Sequence, residues 1–369
     1  MRPPIAHPKP TPHQNFIDWM KAVGMFFIVF GHVVGDPFNQ FTQPVYPKQL
    51  GVAFFVFAMG WSLANDHRAG LRLVFSRLFP VYFWGISFAL LLSAVFLITK
   101  GNANLSNYEP FVLGGNVILN SFPANPTTWY IGTYLHLLLF WTFFLQGKPL
   151  KARHIFAAFV MELLCRALLL GTGRLFTTYM LLPNWLTVFL LGIYLRRHRD
   201  MGNKTKAPLL IAAWLALFAF WAMAGNHLGF GPDFPFRSFA GEVAFPLLFL
   251  SLLISLVYIL HTLLFFHIAR RLPAWPAVSF FARNTLIIFI AHMPIIYAAA
   301  PSIYRLFDSV ILKKSILILL LYLGLALVSE LLHKTISIKL LREKTWSALA
   351  KRLPAPPQTQ QTQQPQRTQ

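Results

Sequence analysis

The chain has 369 residues, 56% of them hydrophobic and only 12% charged, with a mean hydropathy of +0.56. An ordinary soluble domain carries roughly 25% charged residues, so these charges are too few to coat a water-exposed surface, and lipid is the expected solvent. The net charge of +21 would suggest nucleic acid in a soluble protein, whereas the single cysteine, Cys165, excludes an intramolecular disulfide and any thiolate-cluster metal site.

Apolar windows of about 17 to 25 residues, the length that crosses roughly 30 Å of hydrocarbon as a helix, recur along the chain. Runs such as 90–98 and 317–327 do not alternate polar with apolar residues, as strands of a transmembrane barrel would. Helices are then the remaining way to satisfy the backbone in lipid. The expected fold is an all-α polytopic transmembrane bundle. A tail, 1–15, precedes the first span, 16–34, which is too long for a typical signal-peptide core and shows no small-residue cleavage site. Further spans follow at 49–65, 78–98, 129–146, 154–171, 179–195, 208–225, 243–266, 284–300 and 311–333, ten in all. Segment 111–122 is too short to cross and contains Gly114-Gly115-Asn116, so it reads as a re-entrant or interfacial piece of a long external loop. The membrane domain, 16–335, gives way to 336–353, where Lys339, Arg342, Lys344, Lys351 and Arg352 mix with Ile338, Leu341, Trp346 and Leu349. Such a helix is expected to lie on the inner leaflet. The Pro, Gln and Thr tract 354–369 is expected to be disordered.

Orientation follows from the basic residues, because cytoplasmic loops carry the excess. With the N-terminus inside, cytoplasmic segments hold most of the 32 Lys and Arg residues. Lys48, Lys100, Arg174, Arg237, Arg305, Lys313 and Lys314 fall outside, and Arg166 falls within a span. Both termini are therefore expected in the cytoplasm. Anionic headgroups attract such loops, so the charge needs no nucleic acid.

Polar residues within spans are costly and become functional candidates. The first span holds Asp18, Lys21 and, eleven residues beyond Lys21, His32. At 100° per residue this spacing returns to within about 20° of the same helix face, ~16 Å along the axis. The plain alternative is a snorkelling lysine and a histidine at the other helix end. Glu162 and Arg166, four apart on the fifth span, can pair on one face, and a structural ion pair is the first reading. His292 in the ninth span and Glu330 in the tenth could line a common cavity, and a packed core histidine is the plain alternative for the former. His136 on the fourth span has the same two readings.

The ordered motifs resemble those of the membrane acyltransferase-3 family. They run from Ile17-Asp18-Trp19-Met20-Lys21 through Gly31-His32, then Phe54-Phe55-Val56-Phe57-Ala58-Met59-Gly60, Arg77-Leu78-Phe79-Pro80-Val81-Tyr82, Trp129-Tyr130 and Leu191-Gly192. Asn284-Thr285, His292-Met293-Pro294 and Glu330 complete the series. Lys21 replaces the usual opening Arg, as in the branch resembling fucose 4-O-acetylases. Ala58 replaces a Ser, and Val74 stands where an R-x-x-R pair would have its first Arg, with Arg72 as a stand-in.

The resemblance implies an O-acyltransferase of the inner membrane. It would move an acyl group, acetyl foremost, from cytoplasmic acyl-CoA to a hydroxyl of an envelope glycan or glycolipid sugar, with membrane lipids as the other partners and no metal. Arg72, Arg77 and Lys21 would face the donor's phosphates, although Arg72 and Arg77 also satisfy the charge rule without any chemistry. His32 would take the acceptor's proton or carry the acyl group itself. A multi-pass transporter or flippase is the rival reading. The ordered motif set and the lack of paired, matching broken helices weigh against it, and the many ionisable residues within spans weigh against a non-enzymatic assembly factor.

Overall fold

A computed structural model describes residues 14–34, 47–66, 68, 70–198, 207–224 and 244–352, and among these the regular structure is helical, with no strand. In chain order the helices begin with α1 (Asn15–Val34), α2 (Pro47–Leu63), α3 (Gly70–Lys100) and the short α4 (Tyr108–Val112) and α5 (Asn116–Leu119). Next come α6 (Trp129–Phe140), α7 (Ala152–Gly171), α8 (Leu175–Met180), α9 (Leu186–Arg197) and α10 (Ala207–Ala224). The series ends with α11 (Ala244–Ala269), α12 (Pro276–Leu306), α13 (Val310–Leu319), α14 (Leu325–Thr335) and α15 (Ile338–Ala350). A π-helical turn, Trp141–Leu145, prolongs α6, and a second, Leu320–Gly324, joins α13 to α14. The chain is an all-α polytopic bundle, with seven of its described helical passages long and apolar enough to cross a membrane.

The passages differ from the apolar windows where charge or proline intervenes. Helices α3 and α12 run 31 residues each, about 46 Å at 1.5 Å per residue, and so exceed the hydrocarbon. Their first eight residues carry Arg72 and Arg77 on α3 and Arg283 on α12, which is why hydropathy alone starts both helices late. Window 179–195 is broken: α8 stops at Met180, a 3-10 turn spans Leu182–Trp185, and only 12 residues remain in α9. Pro183 cannot donate the backbone bond that would continue α8. Segment 111–122 forms α4 and α5, with Phe111, Asn116 and Val117 buried. The Tyr82 hydroxyl donates to the Phe111 carbonyl at 3.2 Å, which ties this piece to α3.

Helix α2 sits at the centre because glycines let two neighbours approach its backbone. A β-carbon at Gly51 would collide with the Gly24 carbonyl of α1, and one at Gly60 with the Phe189 carbonyl of α9. In lipid no hydrophobic drive holds helix to helix, so close backbone approach at small residues supplies the contact. Val52, Ala53, Phe54, Val56 and Phe57 are consequently buried. The rim is apolar and faces outward: Leu90, Leu91, Leu97 and Ile98 on α3, and Phe156, Leu164 and Leu168 on α7, are exposed, as lipid-facing side chains would be.

Candidate functional site

Two cavities lie beside α1. One, of about 400 Å³, is lined by His32, Lys48, Gln49, Thr127, Trp129, Tyr179 and His292 among others. The other, of about 220 Å³, is lined by Lys21, Ser62, Arg77, Tyr130, Tyr134 and Thr285 among others. Val52 of α2 and Phe289 of α12 line both, so the two spaces meet at these side chains. The face shared by Lys21 and His32 thus opens into a lysine cavity at one end and a histidine cavity at the other.

Proline builds much of the histidine cavity. Pro294 has no N–H, which frees the carbonyl of Ile290 one turn earlier. That oxygen accepts from Asn125 Nδ2 at 2.6 Å and from Thr127 Oγ1 at 3.3 Å. The Asn125 side chain also accepts from the Thr127 backbone N–H at 3.0 Å and caps the 3-10 turn Pro126–Thr128. The loop is thereby fastened to α12, and Thr127 and Trp129 stand on the cavity wall. On α1, a β-carbon at Gly31 would lie 2.9 Å from the Lys48 nitrogen, so glycine lets the start of α2 close in beside His32.

His292 is fully buried. Its Nδ1 lies 2.7 Å from the Phe289 carbonyl and 3.2 Å from that of Ile288. Carbonyls only accept, so Nδ1 carries the hydrogen, and in the neutral ring Nε2 then holds a bare lone pair. Among the described residues that buried Nε2 has no hydrogen-bond partner. The His32 ring centroid stands 5.1 Å from that of His292.

At the lysine cavity, Arg77 does not stand alone. Its Nη2 and Nε donate to Asp66 Oδ2 at 2.7 and 3.0 Å. Arg68 also donates to Asp66, at 2.6 and 2.8 Å, and to Ser76 at 2.7 Å. Gln146 donates to the Arg68 carbonyl at 2.6 Å and holds this corner to the end of α6. Burial alone would push the Asp66 carboxyl up, but the two guanidiniums outweigh it and bring it down to about 2. Arg72 is exposed and lines neither cavity, because five residues along a helix turn it about 140° from Arg77. The cation that joins Arg77 is instead Arg68. It lies between α2 and α3, where no helical periodicity pointed to it, and the one usable signal was the acidic Asp66 just ahead of the basic run Arg68, Arg72 and Arg77.

The remaining candidates sit elsewhere. Asp18 accepts from the Ser279 hydroxyl at 2.6 Å and lines neither cavity. Glu330 accepts from Arg283 at 3.0 Å and from Asn284 at 3.3 Å and lines neither cavity. Glu162 and Arg166 pair on α7 inside a closed polar knot. Arg166 also donates to Asn184 Oδ1, the Ser251 carbonyl and Ser255 Oγ at 2.7 Å each. Glu162 accepts from Ser255 at 2.6 Å and from the Thr187 N–H at 3.0 Å. His136 is absent from the lining of both cavities. No group of three or more His, Cys, Asp and Glu residues suited to a metal occurs among the described residues.

Compared with known proteins, residues 14–333 match the family model described as an acyltransferase domain. No curated protein and no solved structure matches the chain.

Proposed function

We propose that this chain, which belongs to the acyltransferase-3 family, moves an acyl group, acetyl foremost, from cytoplasmic acyl-CoA to a hydroxyl of a cell-envelope glycan or glycolipid in the inner membrane. The observation that carries the proposal is the pair of cavities meeting at Val52 and Phe289, with Lys21 in one and His32 in the other. The donor's phosphates sit at the lysine end, where Lys21 and Arg77 supply cations and Asp66, which also binds Arg68, holds the Arg77 guanidinium in place. Charge-assisted hydrogen bonds to phosphate suit such a cluster. From there the thioester arm runs along α1 towards His32, a rise of ~16 Å.

The acceptor enters the histidine cavity. The neutral imidazole of His32 takes the hydroxyl's proton as its oxygen attacks the thioester carbonyl. A C–O bond forms, the C–S bond breaks, and the thiolate leaves towards the lysine end. Both termini lie in the cytoplasm in this arrangement, in keeping with the distribution of basic residues. The test is incubation of the purified protein with labelled acetyl-CoA and an envelope extract. Label is expected in a hydroxyl ester of a glycan or glycolipid, and about 100-fold less, or lower, with His32→Ala. Label that stays on the protein when acceptor is omitted would replace direct transfer by an acyl-histidine route. An absence of labelled product with the wild type would end the proposal.

A further inference from the structure

We propose that His292 is a positioning residue for His32: the bare Nε2 of His292 accepts the N–H that His32 carries on the ring nitrogen opposite the one that takes the acceptor's proton, and so holds the His32 ring in its transferring orientation. This rests on the acyl-transfer reading of His32. A general base is most effective when a third group orients it and receives its other N–H. The histidine cavity offers such a group. Nδ1 of His292 is committed as donor to two carbonyls of its own helix, so Nε2, on the far side of the ring, can only accept. That nitrogen is buried without a partner among the described residues, and the His32 ring is its neighbour at 5.1 Å between centroids. Lys48 lines the same cavity, so a positive charge forming on His32 benefits from a neutral acceptor at its side.

A second histidine shows what a merely packed ring looks like in this fold. His261 of α11 contacts the carbonyl four residues earlier through Nδ1 at 2.8 Å, as His292 does. Its Nε2, however, accepts from the Trp214 indole at 2.7 Å. At His261 a donor is supplied for the second nitrogen, whereas at His292 that place beside His32 is left open.

The experiment combines a spectrum with kinetics on full-length protein in lipid nanodiscs. With ¹⁵N-labelled histidine, the resonances lost in His292→Gln should report a protonated Nδ1 and a bare Nε2. A protonated Nε2 would overturn the proposal whether or not any acyl transfer is detected. With labelled acetyl-CoA and an envelope extract, His292→Phe should lower kcat by about 10- to 100-fold while KM for acetyl-CoA stays within about twofold. His292→Gln places a carbonyl oxygen near the Nε2 position and should recover most of kcat. A raised KM with kcat preserved, or a glutamine variant as slow as the phenylalanine one, would overturn the assignment. A wild type that shows the expected tautomer but transfers no label refutes the acyl-transfer reading instead, and with it the role given to His32.

Discussion

The polar knot around Arg166 and the histidine cavity around His292 are both buried between helices, and they treat polar atoms in opposite ways. At the knot, all three guanidinium nitrogens of Arg166 donate, and both oxygens of Glu162 accept. At the cavity, a buried imidazole nitrogen is left bare, and open volume lies next to it. A closed network makes helix packing specific, because breaking any part leaves a charge in low dielectric. An open one costs stability and leaves a place for a ligand or a proton. Ionisable residues within membrane spans thus divide by whether their bonding is complete, a division that residue type alone does not make.

The largest effect should come from breaking the closed side. Arg166→Met leaves the Glu162 carboxylate buried without its cation and should cost about 3–5 kcal/mol, read as loss of monodisperse, folded protein in detergent. The double variant with Glu162→Gln should regain part of that loss. A single variant as stable as the wild type would remove the contrast between knot and cavity.

Next comes the open side, where stability should hold and activity should fall. His32→Ala should reduce transfer by about 100-fold or more, the usual scale for losing a general base, with expression and donor binding kept. His32→Gln should fail as well, because an amide cannot take a proton near neutral pH. In the wild type, transfer should fall once the pH is low enough to protonate His32, since only the neutral ring is a base. Wild-type transfer by His32→Ala would take His32 out of the mechanism.

At the lysine cavity a smaller effect is expected. Lys21→Met should raise the KM for acetyl-CoA by roughly tenfold, the lower end of what a hydrogen bond to a charged group supplies, while Lys21→Arg keeps most of the activity. Equal behaviour of the two variants would make Lys21 a boundary residue. The smallest effect sharpens the comparison from within. His261→Phe loses one neutral hydrogen bond to Trp214, about 1 kcal/mol of stability, and should leave the transfer rate unchanged. A loss of rate similar to that of His292→Phe would show that completed bonding does not mark a structural histidine.

Much of this molecule could be read from its chain. The scarcity of charge and the repeated apolar windows determine a helical membrane bundle, because lipid offers the backbone no other partner. The 3.6-residue period sets Lys21 and His32 on one face of α1 before any contact is known, and the i, i+4 spacing sets Glu162 beside Arg166. Helical periodicity also carried the argument that should have separated Arg72 from Arg77.

Tertiary structure alone decided which of these groups share a space. Arg68 reaches Arg77 only because the α2–α3 turn folds Asp66 between them. His292 meets His32 only because α1 and α12 pack together, with the carbonyl freed by Pro294 fastening residues 125–127 alongside. Glu162 and Arg166 close on each other because the 3-10 turn before α9 brings Asn184, and α11 brings Ser251 and Ser255, to complete their bonding. The reason is physical: periodicity fixes directions around one helix axis, whereas completed hydrogen bonds and cavities depend on atoms from other helices, whose placement local sequence does not encode.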